Sequence, residues 1–252
     1  MNHKAASPPP QQPPQQPTPV VLIHGVGFGP ETLDELARAL AVQAPVLCVT
    51  RRGYGHRDGL APATSVTEHV DDVVAVLDAA GIGRAVVAGM SGGATVALAL
   101  ALSHPERVVS AVAHEPAVGS MAPELRVLVS GALRRGGGGA LLRVLAGEET
   151  WAKLSGRELS ALEARTGLVE GDANAFLVFE PNLAESDPSP PLVCSVGERS
   201  SALRFAVAER LAARTGAPVA VVPGCGHLPQ LDAPEAFAEL ILDQALIKTG
   251  VL

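Results

Sequence analysis

A chain of 252 residues with 47% hydrophobic residues can bury one large core, and its formal net charge of −7 argues against the basic face a nucleic-acid binder presents. Aromatic residues make up only 3%, so alanine, valine and leucine must fill that core. Three widely spaced cysteines (Cys48, Cys194 and Cys225) with no Cys-x-x-Cys imply neither a disulfide framework nor a metal site.

Residues 1–18 are dominated by proline and glutamine and predict a disordered tail. There is no apolar signal core and no clean apolar run long enough to span a bilayer, so the expected location is cytoplasmic. Val20-Val21-Leu22-Ile23 reads as a buried parallel strand, followed by His24-Gly25-Val26-Gly27-Phe28-Gly29 and a helix opened by Pro30. Val46 to Val49 is a second strand, running into Arg51-Arg52-Gly53-Tyr54-Gly55. Ser65-Val66-Thr67-Glu68 predicts a capping box, and Val66, Val70, Val73, Val74 and Leu77 repeat at helical spacing up to a C-cap glycine, Gly81.

Ala85 to Ala88 then leads into Gly89-Met90-Ser91-Gly92-Gly93 and an apolar helix from Ala94 to Leu102. A strand that turns sharply into a helix with serine at the apex is a nucleophile elbow. Gly89 and Gly93 let strand and helix pass closely, and the helix N-terminus points its free N–H groups at a developing oxyanion. Val108 to Ala113 is a fourth strand, ending at His114-Glu115-Pro116. Residues 117–189 break the rhythm. Helical patches over Glu124–Arg135 and Arg157–Arg165 are interrupted by Gly136 to Gly139, and no strand is evident. The alternation resumes with a strand at Leu192–Val196, a helix over 202–214 with Leu203, Val207 and Leu211 inward, a strand at Pro218–Val222, the loop Gly224-Cys225-Gly226-His227, and a last helix near Pro234. This predicts an α/β fold, a mostly parallel sheet with helices on both faces. Its core is 19–116 plus 190–252, with a helical cap at 117–189. Ser91, Glu115 and His227 fall just past strand ends, on the rim where such sheets bind ligands.

A serine hydroxyl needs a base to take its proton, the base needs an acid to hold its tautomer, and the tetrahedral oxyanion needs N–H donors. His227 is the candidate base. Gly92 supplies one donor and Val26 a second, with Gly25 or Gly27 beside it. Ile23-His24-Gly25, Arg52-Gly53-Tyr54-Gly55, the elbow and Gly224-Cys225-Gly226-His227 together resemble the α/β-hydrolase family, in the family's order and over roughly residues 20–248. The family usually places an Asp after the strand that follows the cap, and Ser200 stands there instead. Some members carry the acid one strand earlier, where Glu115 stands. That layout is similar to zearalenone lactonases, which use a Ser–His–Glu triad. The resemblance therefore implies Ser91 as nucleophile, His227 as base and Glu115 as acid, with Glu198 as the second candidate for the acid. His24 reads as a structural residue of the oxyanion loop near the substrate. Trp151, Phe176 and Phe179, three of the few aromatics, either line an apolar pocket or hold the cap together.

The expected function is cofactor-free cleavage of an ester or lactone, a macrolactone or polyketide-like compound included, through an acyl-enzyme. The fold also hosts lyases and acyltransferases, and without a working acid it is a scaffold. Gly25, Gly27 and Gly29 lack the spacing of a dinucleotide site. The expected partner is a small-molecule substrate, with no nucleic acid and no membrane; a homodimer stays open.

Overall fold

The apolar runs pair into one parallel sheet: β1 (Val20–Ile23), β2 (Val46–Val49), β3 (Ala85–Met90), β4 (Val108–His114), β5 (Leu192–Gly197) and β6 (Val219–Val222). Their spatial order is β2-β1-β3-β4-β5-β6. The computed structural model describes residues 17–55, 63, 65–183 and 190–246. The predicted tail at 1–18 lies almost wholly outside them.

β1 and β3 are buried at every position because helices cover both faces, which is why neither alternates in sequence. The two-residue period still sorts their side chains. Val21, Ile23 and Val87 pack under α2 (Val66–Ala79) and α3 (Gly92–Ser103). Val20, Leu22, Val86 and Ala88 pack under α1 (Asp34–Ala41) and, at the C-terminus, a helix over Pro234–Leu246. The α3 helix is buried almost all round, matching its apolar sequence. Ser65 caps α2 by accepting a hydrogen bond from the Glu68 N–H at 3.3 Å, and Gly81 takes the left-handed φ of +66° expected past a helix end.

The insertion between β4 and β5 holds α4 (Pro123–Lys153), α5 (Gly156–Ala164) and α6 (Thr166–Leu177), with no strand among the described residues. The interruption expected over Gly136 to Gly139 is confined to the first part of the run. The backbone leaves helical geometry at Gly136 and Gly137, then resumes it. A Cβ on Gly138 would lie 2.2 Å from the Thr166 carbonyl oxygen, so this glycine lets α4 and α6 touch. α6 adds to the predicted helices: its apolar residues Val169, Ala173 and Phe176 are diluted by Gly167 and Gly171, poor helix formers. After the insertion come α7 (Ala202–Thr215), one turn of helix α8 (Pro229–Asp232) and α9 (Pro234–Leu246). Cys194 and Cys225 are buried, with burial pushing both thiols up to about 12, whereas Cys48 is half-buried on β2. Among the described residues no helix is long and apolar enough to cross a membrane.

Candidate active site

Ser91 sits between β3 and α3 at φ +54° and ψ −120°, and Glu115, the residue after β4, has φ +47°. Among the described residues these are the two non-glycine positions with positive φ. Such strain of about 1–3 kcal/mol persists only where surrounding structure enforces it. Here the enforcement is visible in the hydrogen bonds. The Ser91 N–H donates to the His114 carbonyl at 2.9 Å, and the Glu115 N–H donates to the Ser195 carbonyl at 2.9 Å. Glycine is required on either side of the elbow. A Cβ on Gly89 would lie 2.1 Å from the Gly93 carbonyl oxygen, and one on Gly93 would lie 2.1 Å from that of Ile23.

The loop after β1 closes over the serine. A Cβ on Gly25 would come within 3.2 Å of the Ser91 Cβ, and Val26 lines a small chamber with Ser91. The loop is held from behind. Arg51 Nε donates to the His24 carbonyl at 3.1 Å, and Nη2 to that of Gly25 at 2.9 Å. The Gly27 N–H donates to the Tyr54 hydroxyl at 2.6 Å. With its neighbours committed in this way, the Val26 N–H has no acceptor among the described residues. Gly92 starts α3, where backbone N–H groups have no partner within the helix.

Glu115 and His227 are brought together. The carboxylate Oε2 accepts from His227 Nδ1 at 2.6 Å, which fixes the proton on Nδ1 and leaves the lone pair on Nε2. Oε1 accepts from the Gly197 N–H at 3.0 Å and from the Ser200 hydroxyl. Ser200, standing where the family's Asp is usual, thus supports the carboxylate that reaches the histidine from β4. Glu198 faces elsewhere and accepts from the Gly224 N–H at 2.9 Å. Burial pushes the Glu115 carboxyl up, but the His227 hydrogen bond and the charges of His227, His114 and Arg204 outweigh it and hold it well below the usual range. His227 is lowered by burial and then by Arg204, against the opposing pull of Glu115. It is therefore neutral at pH 7, as a base must be.

The structure does not join Ser91 to His227. No described residue hydrogen-bonds Ser91 Oγ, and His227 Nε2 faces Arg204 Nη2 at 3.4 Å. Two chambers meet here. One, of about 20 Å³, holds Ser91, Val26 and Phe176. The other, of about 350 Å³, holds His227, Ser200 and Thr150. Arg204 and Leu145 line both.

The remaining expected residues divide. Phe176 of α6 reaches the site, its ring 2.6 Å from where a Cβ on Gly92 would be. Trp151 and Phe179 do not line the Ser91 chamber: Arg143 lies over the Trp151 ring, and Phe179 lines a separate groove with Thr67 and Leu102. His24 is fully buried, accepts at Nε2 from the Arg51 N–H at 3.2 Å and is held neutral by burial and Arg51, so it shapes the loop and touches neither chamber. His114 lies between the Ser195 hydroxyl and the Gly226 carbonyl, and burial pulls it to about 4.

Two groups were missed by sequence reasoning. Asp172 on α6 binds Arg51 through both oxygens, at 2.8 and 2.7 Å, with Tyr54 and His69 beside it, and ties the insertion to the oxyanion loop. Arg204 is buried on α7. Both carried a signal. Asp172 falls between Val169, Ala173 and Phe176 on one helical face, and Arg204 lies three and seven residues before Val207 and Leu211.

The family model for the alpha/beta hydrolase family matches residues 20–240. A 2-hydroxymuconate semialdehyde hydrolase of Pseudomonas sp. strain CF600 is 39% identical over 98 residues, 36% of this chain and 33% of that protein. The aligned part thus spans about a third of the length of the curated relatives. An enol-lactonase of Burkholderia xenovorans LB400 superposes with a TM-score of 0.74 at 22% identity, covering 91% of this chain and 92% of its own. Est816, an N-acyl homoserine lactone degrading enzyme, superposes at 0.72 with 26% identity, covering 90% and 92%. With the model covering nearly the whole described sheet and its insertion, the chain belongs to the alpha/beta hydrolase family.

Proposed function

We propose that this protein is a serine hydrolase that cleaves an ester or lactone through an acyl-enzyme. The observation that carries the reading is the pairing of a strained serine at a helix N-terminus with a buried Glu115–His227 hydrogen bond of 2.6 Å on the same rim. Ser91 attacks the carbonyl while His227 Nε2 takes its proton. Glu115 holds the tautomer and stabilises the imidazolium, and the Gly92 and Val26 N–H groups receive the oxyanion. His227 then returns the proton to the leaving alcohol, and water releases the acid by the reverse sequence. The lactonase and esterase names among the structural neighbours support this substrate class, as does the Ser–His–Glu layout similar to zearalenone lactonases.

The test is intact-mass spectrometry after treatment with a fluorophosphonate. One adduct on the native protein, mapped to Ser91 and absent in Ser91→Ala, is expected. No adduct, or an adduct that survives Ser91→Ala, overturns the reading.

A further inference from the structure

Arg204 lies in the site without a role in the triad. Its guanidinium is buried, yet among the described residues its contacts are a 3.4 Å hydrogen bond to His227 Nε2 and a 3.5 Å ion pair from Nε to Glu115 Oε2. A guanidinium has five N–H donors, and two long contacts leave most of them without a protein partner; none of its nitrogens is among the buried unpartnered atoms of the described residues, so these donors open onto the chamber. The Glu115 carboxylate gives it little, since Oε1 accepts from Gly197 and Ser200, Oε2 accepts from His227, and Arg204 Nε stays 3.5 Å from Oε2. The other charges on the 350 Å³ chamber are matched. Glu148 pairs with Arg143, Glu149 with Arg199 and Lys153, and Asp232 accepts from Thr150 and the Gly226 N–H.

Position adds to this. Arg204 lines both the chamber that holds Ser91 and the chamber that holds His227. It also donates to the lone pair on Nε2 that the base needs. Catalysis requires the side chain to leave His227, and the natural force for that is an anion in the chamber.

We propose that Arg204 is a specificity residue that binds a carboxylate on the substrate, so that the preferred substrate is an ester or lactone bearing a free carboxylate near the scissile carbonyl. This rests on the hydrolase reading above. In the free protein Arg204 lies against His227 Nε2. The substrate carboxylate draws the guanidinium to itself in a two-point contact, the two chambers join, and Nε2 is released toward Ser91. Neutral esters lack that pull and meet a base whose lone pair is occupied.

The test compares two chromogenic esters, the mono-4-nitrophenyl ester of glutaric acid and neutral 4-nitrophenyl butyrate, and adds calorimetric titration of glutarate into Ser91→Ala. The native protein should favour the carboxylate ester about 10- to 100-fold in kcat/KM. Arg204→Gln should bring the ratio to about 1, and Arg204→Lys should restore part of it. Glutarate should bind Ser91→Ala and lose at least about tenfold in affinity when Arg204→Gln is added. The acid limb of kcat/KM should also move to higher pH in Arg204→Gln. His227 faces Glu115 and His114 at the end of β4 and Arg204 on α7, and the variant removes the cation whose charge lowers it. Ester turnover with no carboxylate preference, or a preference and glutarate affinity unchanged in Arg204→Gln, overturns the proposal. Arg204-dependent glutarate binding with neither ester cleaved upholds the carboxylate site and sinks the hydrolase reading instead.

Discussion

Arg51 and Arg204 are both buried and both face a carboxylate, but only one has its donors filled. Arg51 meets Asp172 at two points and reaches the carbonyls of His24 and Gly25. Arg204 has two long contacts, to His227 and Glu115. A buried charge costs free energy unless its partners are close and its donors are used. Arg51 satisfies that condition, so it reads as a structural tie between the oxyanion loop and the α6 helix of the insertion. Arg204 leaves most of its donors open to the chamber, so they are available to the substrate carboxylate proposed above.

The largest effect expected at the Arg204 end of this comparison falls on activity. Glu115→Gln should lower kcat by about 10³–10⁴, since a neutral amide neither fixes the Nδ1 proton nor stabilises the imidazolium. Steady-state kinetics on any ester the native protein cleaves will check this, and a loss under tenfold would remove Glu115 from the role of acid. At the Arg51 end the effect falls on stability. Asp172→Ala leaves a buried guanidinium unpaired and should cost about 3–5 kcal/mol in urea unfolding. Arg204→Met, by contrast, removes a poorly paired charge and should leave stability within about 1 kcal/mol of native or raise it. Equal losses in the two variants would erase the distinction between the arginines.

A smaller effect concerns pH. Burial and Arg204 lower His227 below 6.5, and the base works only when neutral. The acid limb of kcat/KM should therefore lie below pH 6.5 in the native protein, with activity lost as pH falls through it. A limb above pH 6.5 would contradict the arrangement. The smallest effect belongs to Ser200→Ala. It removes one of three donors to Glu115 and should cost about tenfold or less in kcat. A loss as large as that of Glu115→Gln would make Ser200 a full partner in the acid.

The candidate rim was legible because its constraints are local. The elbow needs Gly89 and Gly93 where backbone atoms would otherwise collide, and the sequence displays both. Glu115 and His227 were legible as strand-end residues, although 112 positions separate them in the chain. The insertion was less legible. Gly138 looks like a linker residue until Thr166 is seen against it, and α6 lacks a clean apolar face. Arg51, Asp172 and Arg204 were hidden for a different reason. Charged residues read as solvated unless a partner is known, and their partners come from other elements. Trp151 and Phe179 show the converse: their aromatic character left open a pocket or a packing role in the cap, and they lie outside the Ser91 chamber.

The most direct test of the central claim is the rate at which a fluorophosphonate labels Ser91 in the native protein, Glu115→Gln and Glu198→Gln, compared side by side. Glu115→Gln should label about 10³-fold more slowly or worse, while Glu198→Gln keeps the native rate. Slow labelling in Glu198→Gln with a native rate in Glu115→Gln would contradict it.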